Sequence, residues 1–218
     1  MMEISPSQPQ DSGFGRTEFA ESLARLGVKR GDIVYVRAAM GAIGKFKGDM
    51  FDTVVGGFLD AVGNTGTVMA PAFTKIGNVF SREKFVIDGQ TKPYSGAVSK
   101  LFLKHPRAVR STHPSHSFVA VGPHAEQLLR DHGPAASCFY PVKKLAELDG
   151  KMLLIGCNND SPGFSTVHVA QYDLGLSQRH WVRHLQRAWI QGGSVSWTPS
   201  ESPGCSASFD KFYPAYVR

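Results

Sequence analysis

Several common chemistries are missing from this chain. Its three cysteines, Cys138, Cys157 and Cys205, are odd in number, widely spaced and form no CxxC pair. A disulfide framework and a zinc ribbon are therefore not expected, and a reducing cytoplasm is the simplest location. No apolar run approaches the length of a membrane span, so no membrane partner is expected. There is no GxGxxG or GxxxxGK stretch, which removes the dinucleotide fingerprint and the P-loop. No GxSxG elbow is present, which argues against a serine hydrolase. Lys and Arg are scattered rather than massed, and no helix-turn-helix, RRM or zinc-finger pattern appears. The net charge of +6 thus points to a phosphorylated small molecule rather than to nucleic acid. Internal repeats and low-complexity blocks are absent.

What remains is ordinary globular material: 218 residues, 42% hydrophobic and 19% charged, enough for one good-sized domain. Residues 1–15 read as a disordered leader, because Met1 to Ser12 is polar and carries Pro6 and Pro9; it resembles neither a signal peptide nor an anchor. A single domain is expected over 16–218. Apolar spacing predicts helices over Arg16–Leu26, Met50–Val62, Ser95–Leu103, Pro123–His132, Val142–Leu148 and Phe164–Leu174. Strands are expected at Ile33–Val36, Thr67–Ala70, Ser117–Val121, Lys151–Gly156 and Ser194–Thr198. The strand–helix–strand order from Ile33 to Ala70 predicts a parallel βαβ unit in an α/β fold. Thr74 to Lys92 reads as an irregular polar excursion over the surface, His180 to Trp189 as a basic and aromatic stretch, and Ser208 to Arg218 as a final helix.

Candidate chemistry falls in three places. The loop Arg37-Ala38-Ala39-Met40, between a strand and a helix, either cradles a phosphate or is a tight connection that binds nothing. The stretch Arg110 to Gly122 crowds two histidines, three hydroxyls and an arginine ahead of an apolar run. His113 and His116 have no further ligands at metal spacing, so imidazoles oriented by Ser111, Thr112 or Ser117 are the better reading, and no metal is expected. His168 follows the most apolar strand by one short stretch, where open α/β sheets place ligand crevices. It is either a general base or a hydrogen-bonded structural histidine. Cys157 has no evident partner base and reads as a buried thiol.

Gly31–Gly44, Arg110–Pro123 and Ser165–Gln171 resemble, in order and interval, three blocks of the aminoglycoside 3-N-acetyltransferases. The likeness runs from Phe19 to Tyr216. It implies a three-layer α/β/α fold with a central mixed sheet, acetyl-CoA as co-substrate, and a small amine acceptor on an amino sugar or aminoglycoside. It also implies His168 as the base, a donor channel lined by Arg37, Ala38, Ala39, Met40, Ser111, His113 and Ser117, and acceptor contacts from Thr74, Asp160 and Gln171. A monomer or homodimer is expected. Two departures stand out. The family's usual His-Ser-Ser is Arg37-Ala38-Ala39, and its usual glutamate is Gln171, leaving Asp160 or Asp173 to take that place. The basic chain and the lost carboxylate favour an acceptor less cationic than a clinical aminoglycoside. They also leave open an impaired acyl-CoA-binding homologue with a regulatory or scaffolding role.

Overall fold

The computed structural model describes residues 13–78, 86–157, 163–175, 186–190 and 193–197. Helix α1 (Arg16–Arg25) leads into strand β1 (Ile33–Ala38), and a helical stretch containing α2 (Gly57–Val62) returns the chain to β2 (Thr67–Pro71). β1 and β2 are parallel, in the register Ile33↔Thr67 to Tyr35↔Met69. After the two-residue strands β3 (Gly77–Asn78) and β4 (Val86–Ile87) come α3 (Ala97–Phe102), β5 (Val109–Arg110) and β6 (Phe118–Val121). Helices α4 (Ala125–Leu129) and α5 (Tyr140–Glu147), strand β7 (Lys151–Ile155), helix α6 (Ser165–Asp173) and strands β8 (Gln186–Ile190) and β9 (Gly193–Trp197) complete the order. The main sheet runs β5-β6-β2-β1-β7; β7 is parallel to β1, whereas β6 is antiparallel to β2 and to β5. A small second sheet joins β3, β8, β4 and β9.

The strands read as near-continuous apolar runs because both faces of the sheet are covered. Alternation along each strand divides the residues between two cores. Val34, Val36, Val68, Ala70, Val119 and Val121 face one side, with Phe19 and Leu23 of α1, Phe58 of α2, and Val98, Leu101 and Phe102 of α3. Ile33, Tyr35, Met69, Phe118 and Ala120 face the other, with Leu128 and Leu129 of α4 and Val142 and Leu145 of α5. The result is three layers, α/β/α around a mixed sheet. Phe58, wholly buried and packed edge-on against Phe19 at 5.2 Å, is a central wedge of the first core. Its loss would cost about 3–5 kcal/mol.

Several expectations change in detail. The helix over Met50–Val62 has a π turn at Asp52–Gly56. Gly56 and Gly57 sit there under α1, where a Cβ would come within 2.8 Å of the Arg16 guanidinium and the Phe19 ring respectively. Arg16 then bridges to Asp60 (2.6 Å) and Asp52 (2.7 Å). The excursion expected over Thr74 to Lys92 has a buried first residue, Thr74, and is not wholly irregular, since β3 and β4 pair with β8. The basic and aromatic stretch ends in a strand, β8. Phe14 forms a bridge with Phe46, so the chain is part of the fold from there. The helix expected over Ser208–Arg218 lies outside the described residues.

Candidate active site

The crowded polar segment is the turn of a hairpin. β5 and β6 pair antiparallel, Arg110↔Val119, and residues 111–117 form the bend. Because β6 runs against β2, with Pro71 opposite Phe118, this bend lies at the carboxyl end of β2. Its side chains turn inward. The His132 Nε2–H donates to the Ser137 carbonyl at 3.1 Å, so in the neutral ring Nδ1 accepts, taking the Ser111 hydroxyl proton at 2.9 Å. Ser111 Oγ in turn accepts the Phe118 N–H at 2.9 Å. His113 Nδ1 accepts the N–H groups of Ser115 (3.3 Å) and His116 (3.1 Å), which places its ring proton on Nε2, facing Cys138 Sγ at 3.9 Å. His113 stacks on His132 with ring centroids 4.8 Å apart. Burial pushes the pKa values of His113, His116 and His132 down to about 3, each neighbouring imidazole adding to the effect.

Arg110 is held just as firmly. Its guanidinium donates to the carbonyls of Thr91 (2.5 Å), Ala72 (3.1 Å) and Gly89 (3.3 Å), and its Nε–H to the Ser117 hydroxyl at 3.2 Å. Ser117 Oγ donates to the Ala72 carbonyl at 2.6 Å. Thr74, fully inside, gives its hydroxyl proton to the Pro114 carbonyl. These bonds satisfy buried polar atoms and fix the hairpin to the chain after β2.

A different arrangement surrounds α6. Ser165, its first residue, shares a 3.0 Å hydrogen bond with the buried Tyr35 hydroxyl, tying the helix to the middle of β1. One turn later His168 stacks on Phe139 of the loop before α5, centroids 4.5 Å apart and planes 18° from parallel. Its Nδ1 lies 3.0 Å from Gln171 Oε1. An amide oxygen only accepts, so Nδ1 carries the hydrogen and Nε2 is the basic nitrogen of the neutral ring. Burial lowers the His168 pKa below its ordinary value; the Gln171 bond opposes this and the Arg37 charge adds to it.

At the carboxyl ends of β2, β1 and β7, a cavity of about 210 Å³ is lined by Arg37, Ala38, Ala39, Pro71, Ser95, Ser99, Gly156 and Cys157, among others; the Arg37 side chain also runs along Gly163, just before α6. This is the crevice position of an open parallel sheet. Its walls are small side chains and hydroxyls, the shape of a slot for a narrow arm. Gly156 is required at its floor: φ is +65°, and a Cβ would meet Ala42 Cβ at 2.8 Å and the Ala39 carbonyl oxygen at 3.0 Å.

The expected site residues therefore separate. Arg37, Ala38 and Ala39 line the first cavity, whereas His168 and Gln171 form a hydrogen-bonded pair on α6 and are not among its lining residues. Met40 packs against the first core instead. Ser111 and Ser117 border a second, smaller cavity of about 130 Å³ with Asp88 and Thr112, and neither is among the residues lining the first. His113, 1% exposed, is an interior ring. Ser111, Ser117 and His113 bond to His132, the Ala72 carbonyl and Cys138, and Thr74 to the Pro114 carbonyl, so these side chains tie the hairpin to its surroundings. Asp160 lies outside the described residues, and Asp173 is paired with Lys143 at 2.7 Å on the surface rather than with His168. The sequence reading missed His132, Tyr35 and Phe139. Each meets its partner across a long separation (21, 130 and 29 residues) that local spacing does not reveal.

The family model described as aminoglycoside 3-N-acetyltransferase matches residues 35–218. The chain is 31% identical over 214 residues to an aminoglycoside N(3)-acetyltransferase III of Acinetobacter baumannii, covering 90% of this chain and 74% of that protein. Among solved structures, AAC-IIIb in binary complex with CoASH matches with a TM-score of 0.75 at 24% identity, over 94% of this chain and 84% of that one. A histidine-to-alanine mutant of aminoglycoside acetyltransferase AAC(3)-IVa in complex with a gentamicin matches with a TM-score of 0.68 at 26% identity, over 96% and 80%.

Proposed function

The chain belongs to the aminoglycoside 3-N-acetyltransferase family, and on that premise we propose that it transfers an acetyl group from acetyl-CoA to an amine of an amino sugar or aminoglycoside-like acceptor, with His168 as general base. The observation that supports this reading is the His168–Gln171 pair, an imidazole with its tautomer fixed, with Arg37 of the strand-end cavity acting on it electrostatically. The slot lined by Ala38, Ala39, Ser95, Ser99 and Gly156 suits the pantetheine arm of the co-substrate, which supplies an acyl group on a good leaving group.

The residues' own work is proton handling and positioning. A sugar amine is largely protonated near neutrality and attacks a thioester only as the free base. His168 Nε2, neutral because burial lowers its pKa, accepts the proton that the amine sheds as the N–C bond forms. Gln171 fixes the tautomer and Phe139 fixes the ring plane, so the base is preorganised. Gln171 is neutral, so its hydrogen bond favours the imidazolium that forms less than a carboxylate's charge would. That difference supports slower turnover than a carboxylate partner would give, and it is what favours the second reading, an acyl-CoA-binding homologue with impaired catalysis.

Thiol release from acetyl-CoA, measured over a panel of aminoglycosides and amino sugars beside calorimetric acetyl-CoA binding, separates the two. Turnover that disappears in His168→Ala while acetyl-CoA still binds supports the enzyme. Binding without turnover of any acceptor, unchanged in His168→Ala, supports the impaired homologue.

A further inference from the structure

Proton transfer at His168 makes no use of the Arg37 charge, although the guanidinium hydrogen-bonds the buried Tyr35 hydroxyl. Arg37 lies near the carboxyl end of β1, and its side chain runs along Gly163 on the approach to α6. A Cβ at Gly163, where φ is +76°, would come within 3.0 Å of Arg37 Nε and 3.1 Å of Cδ, so only glycine lets the arginine lie there. The next residues are Phe164 and Ser165, the latter bonded to Tyr35, and His168 follows one turn on. The guanidinium thus sits between the strand that ends in the cavity and the helix that carries the base. Its charge is felt by Tyr35, Tyr94 and His168.

Among the described residues no carboxylate pairs with it; the ion pairs engage Arg16, Arg130, Lys143, Lys144 and Lys151. It also adds to the positive end of α6 rather than offsetting it. A fixed cation of this kind repels further positive charge and is stabilised by an anion, which a planar guanidinium can hold through two parallel hydrogen bonds. A coenzyme phosphate fits this place poorly on chemical grounds: the pantetheine arm separates the phosphates from the thioester, and the base must be at the thioester end.

We propose that Arg37 selects the acceptor, binding a phosphate or carboxylate carried by the same monoamino sugar whose amine is acetylated, and disfavouring polycationic aminoglycosides. This rests on His168 being the base of an N-acetyltransferase and narrows the substrate class of that site. The family's first-block loop is expected along the donor channel; here Arg37 lines the same cavity as Ala38 and Ala39, while its Cδ and Nε lie along Gly163 on the approach to α6.

The test uses a matched pair, glucosamine and glucosamine 6-phosphate, with UDP-glucosamine and gentamicin as further arms. Thiol release from acetyl-CoA and calorimetric binding of each acceptor to the CoA-loaded full chain are measured for the wild type, Arg37→Gln and Arg37→Lys. The wild type is expected to favour glucosamine 6-phosphate over glucosamine by about tenfold or more in kcat/KM, as one charge-assisted contact allows. In Arg37→Gln that ratio falls toward one through KM, Arg37→Lys restores part of it, and relative use of gentamicin rises. Preference for UDP-glucosamine over glucosamine 6-phosphate identifies a nucleotide diphosphate as the source of the anion, and the reverse identifies a sugar phosphate. Equal use of the matched pair by the wild type overturns the proposal. So does an Arg37→Gln effect confined to kcat and equal for all acceptors, which would place the guanidinium on the reacting carbonyl. If nothing is turned over, phosphate-dependent binding that is lost in Arg37→Gln upholds the role of Arg37 while removing the transferase reading; phosphate-independent binding removes both.

Discussion

Two groups of histidines in this protein look alike in kind and differ in use. His113, His116 and His132 cluster behind the hairpin, with ring atoms bonded to backbone groups and serine hydroxyls, and burial holds them uncharged. His168 is half-buried on α6, fixed through Nδ1 by Gln171 and through its face by Phe139, with the Arg37 charge acting on it. Crowding of titratable residues therefore marks the less reactive region. A base needs a partner on one nitrogen and a reactant on the other. His113 and His132 instead spend both ring nitrogens on the fold, while His116, bonded through Nδ1 to Ser115, packs on Phe139 as His168 does.

The sharpest way to break this comparison is to delete one member of each group. His168→Ala should lower kcat/KM by about 10²–10⁴-fold, the usual contribution of a positioned base, with little change in the urea midpoint. Retention of more than about a tenth of the activity would remove His168 from the reaction. His132→Ala should do the opposite. It strands the Ser111 hydroxyl and the Ser137 carbonyl and removes a ring stacked on His113, so a loss of about 3 kcal/mol in unfolding free energy is expected. Turnover measured where the variant is still folded should stay within about threefold of the wild type, since the His132 ring and its nitrogens contact Ser111, Ser137, His113 and Tyr140 rather than His168. A large loss of kcat in a folded His132→Ala protein would make the hairpin part of the chemistry.

The buried pair also predicts how stability responds to acid. An imidazole whose pKa is lower in the folded chain than in the unfolded chain favours unfolding once the unfolded form starts to take up protons. The loss therefore begins as the pH drops through 6.5 and continues toward the folded value near 3. For His113 and His132 it should reach on the order of 2 kcal/mol each by pH 5. Urea unfolding at pH 7.5, 6 and 5 measures it, and a midpoint unchanged over that range would contradict the neutral, buried assignment.

The layers of the fold were legible because the strands are short apolar runs and the helices carry apolar faces at 3.6-residue spacing, a pattern that Val34, Val36, Val54, Val55 and Phe58 display without help from distant residues. The position of His168 after β7 was legible for the same reason. The inward bonding of the hairpin was not legible, because sequence shows which polar groups are present but not which way they face. Ser111 turns inward only because His132 and the Phe118 N–H wait there, and Thr74 only because the Pro114 carbonyl does. The π turn at Asp52–Gly56 was equally hidden: it accompanies the close approach of α1 to Gly56 and Gly57, a tertiary contact.

The smallest effect sharpens the comparison within the reactive region itself. Activity requires neutral His168, so the acid limb of kcat/KM follows its pKa, which burial and Arg37 lower and Gln171 partly restores. Turnover should therefore persist somewhat below pH 6.5 and fall as the pH drops through the lowered value. Gln171→Glu would place a negative charge beside Nδ1–H, stabilising the imidazolium and moving that limb upward by about one unit. The same charge would favour the protonated base formed during transfer, so the plateau rate above the limb should rise while the limb moves against it. In the hairpin no such exchange is available, because Ser111, Ser115 and backbone groups are its acceptors and donors. A limb that stays in place in a folded Gln171→Glu protein would show that residue 171 does not touch the base during turnover, and would leave Phe139 as the group that orients it.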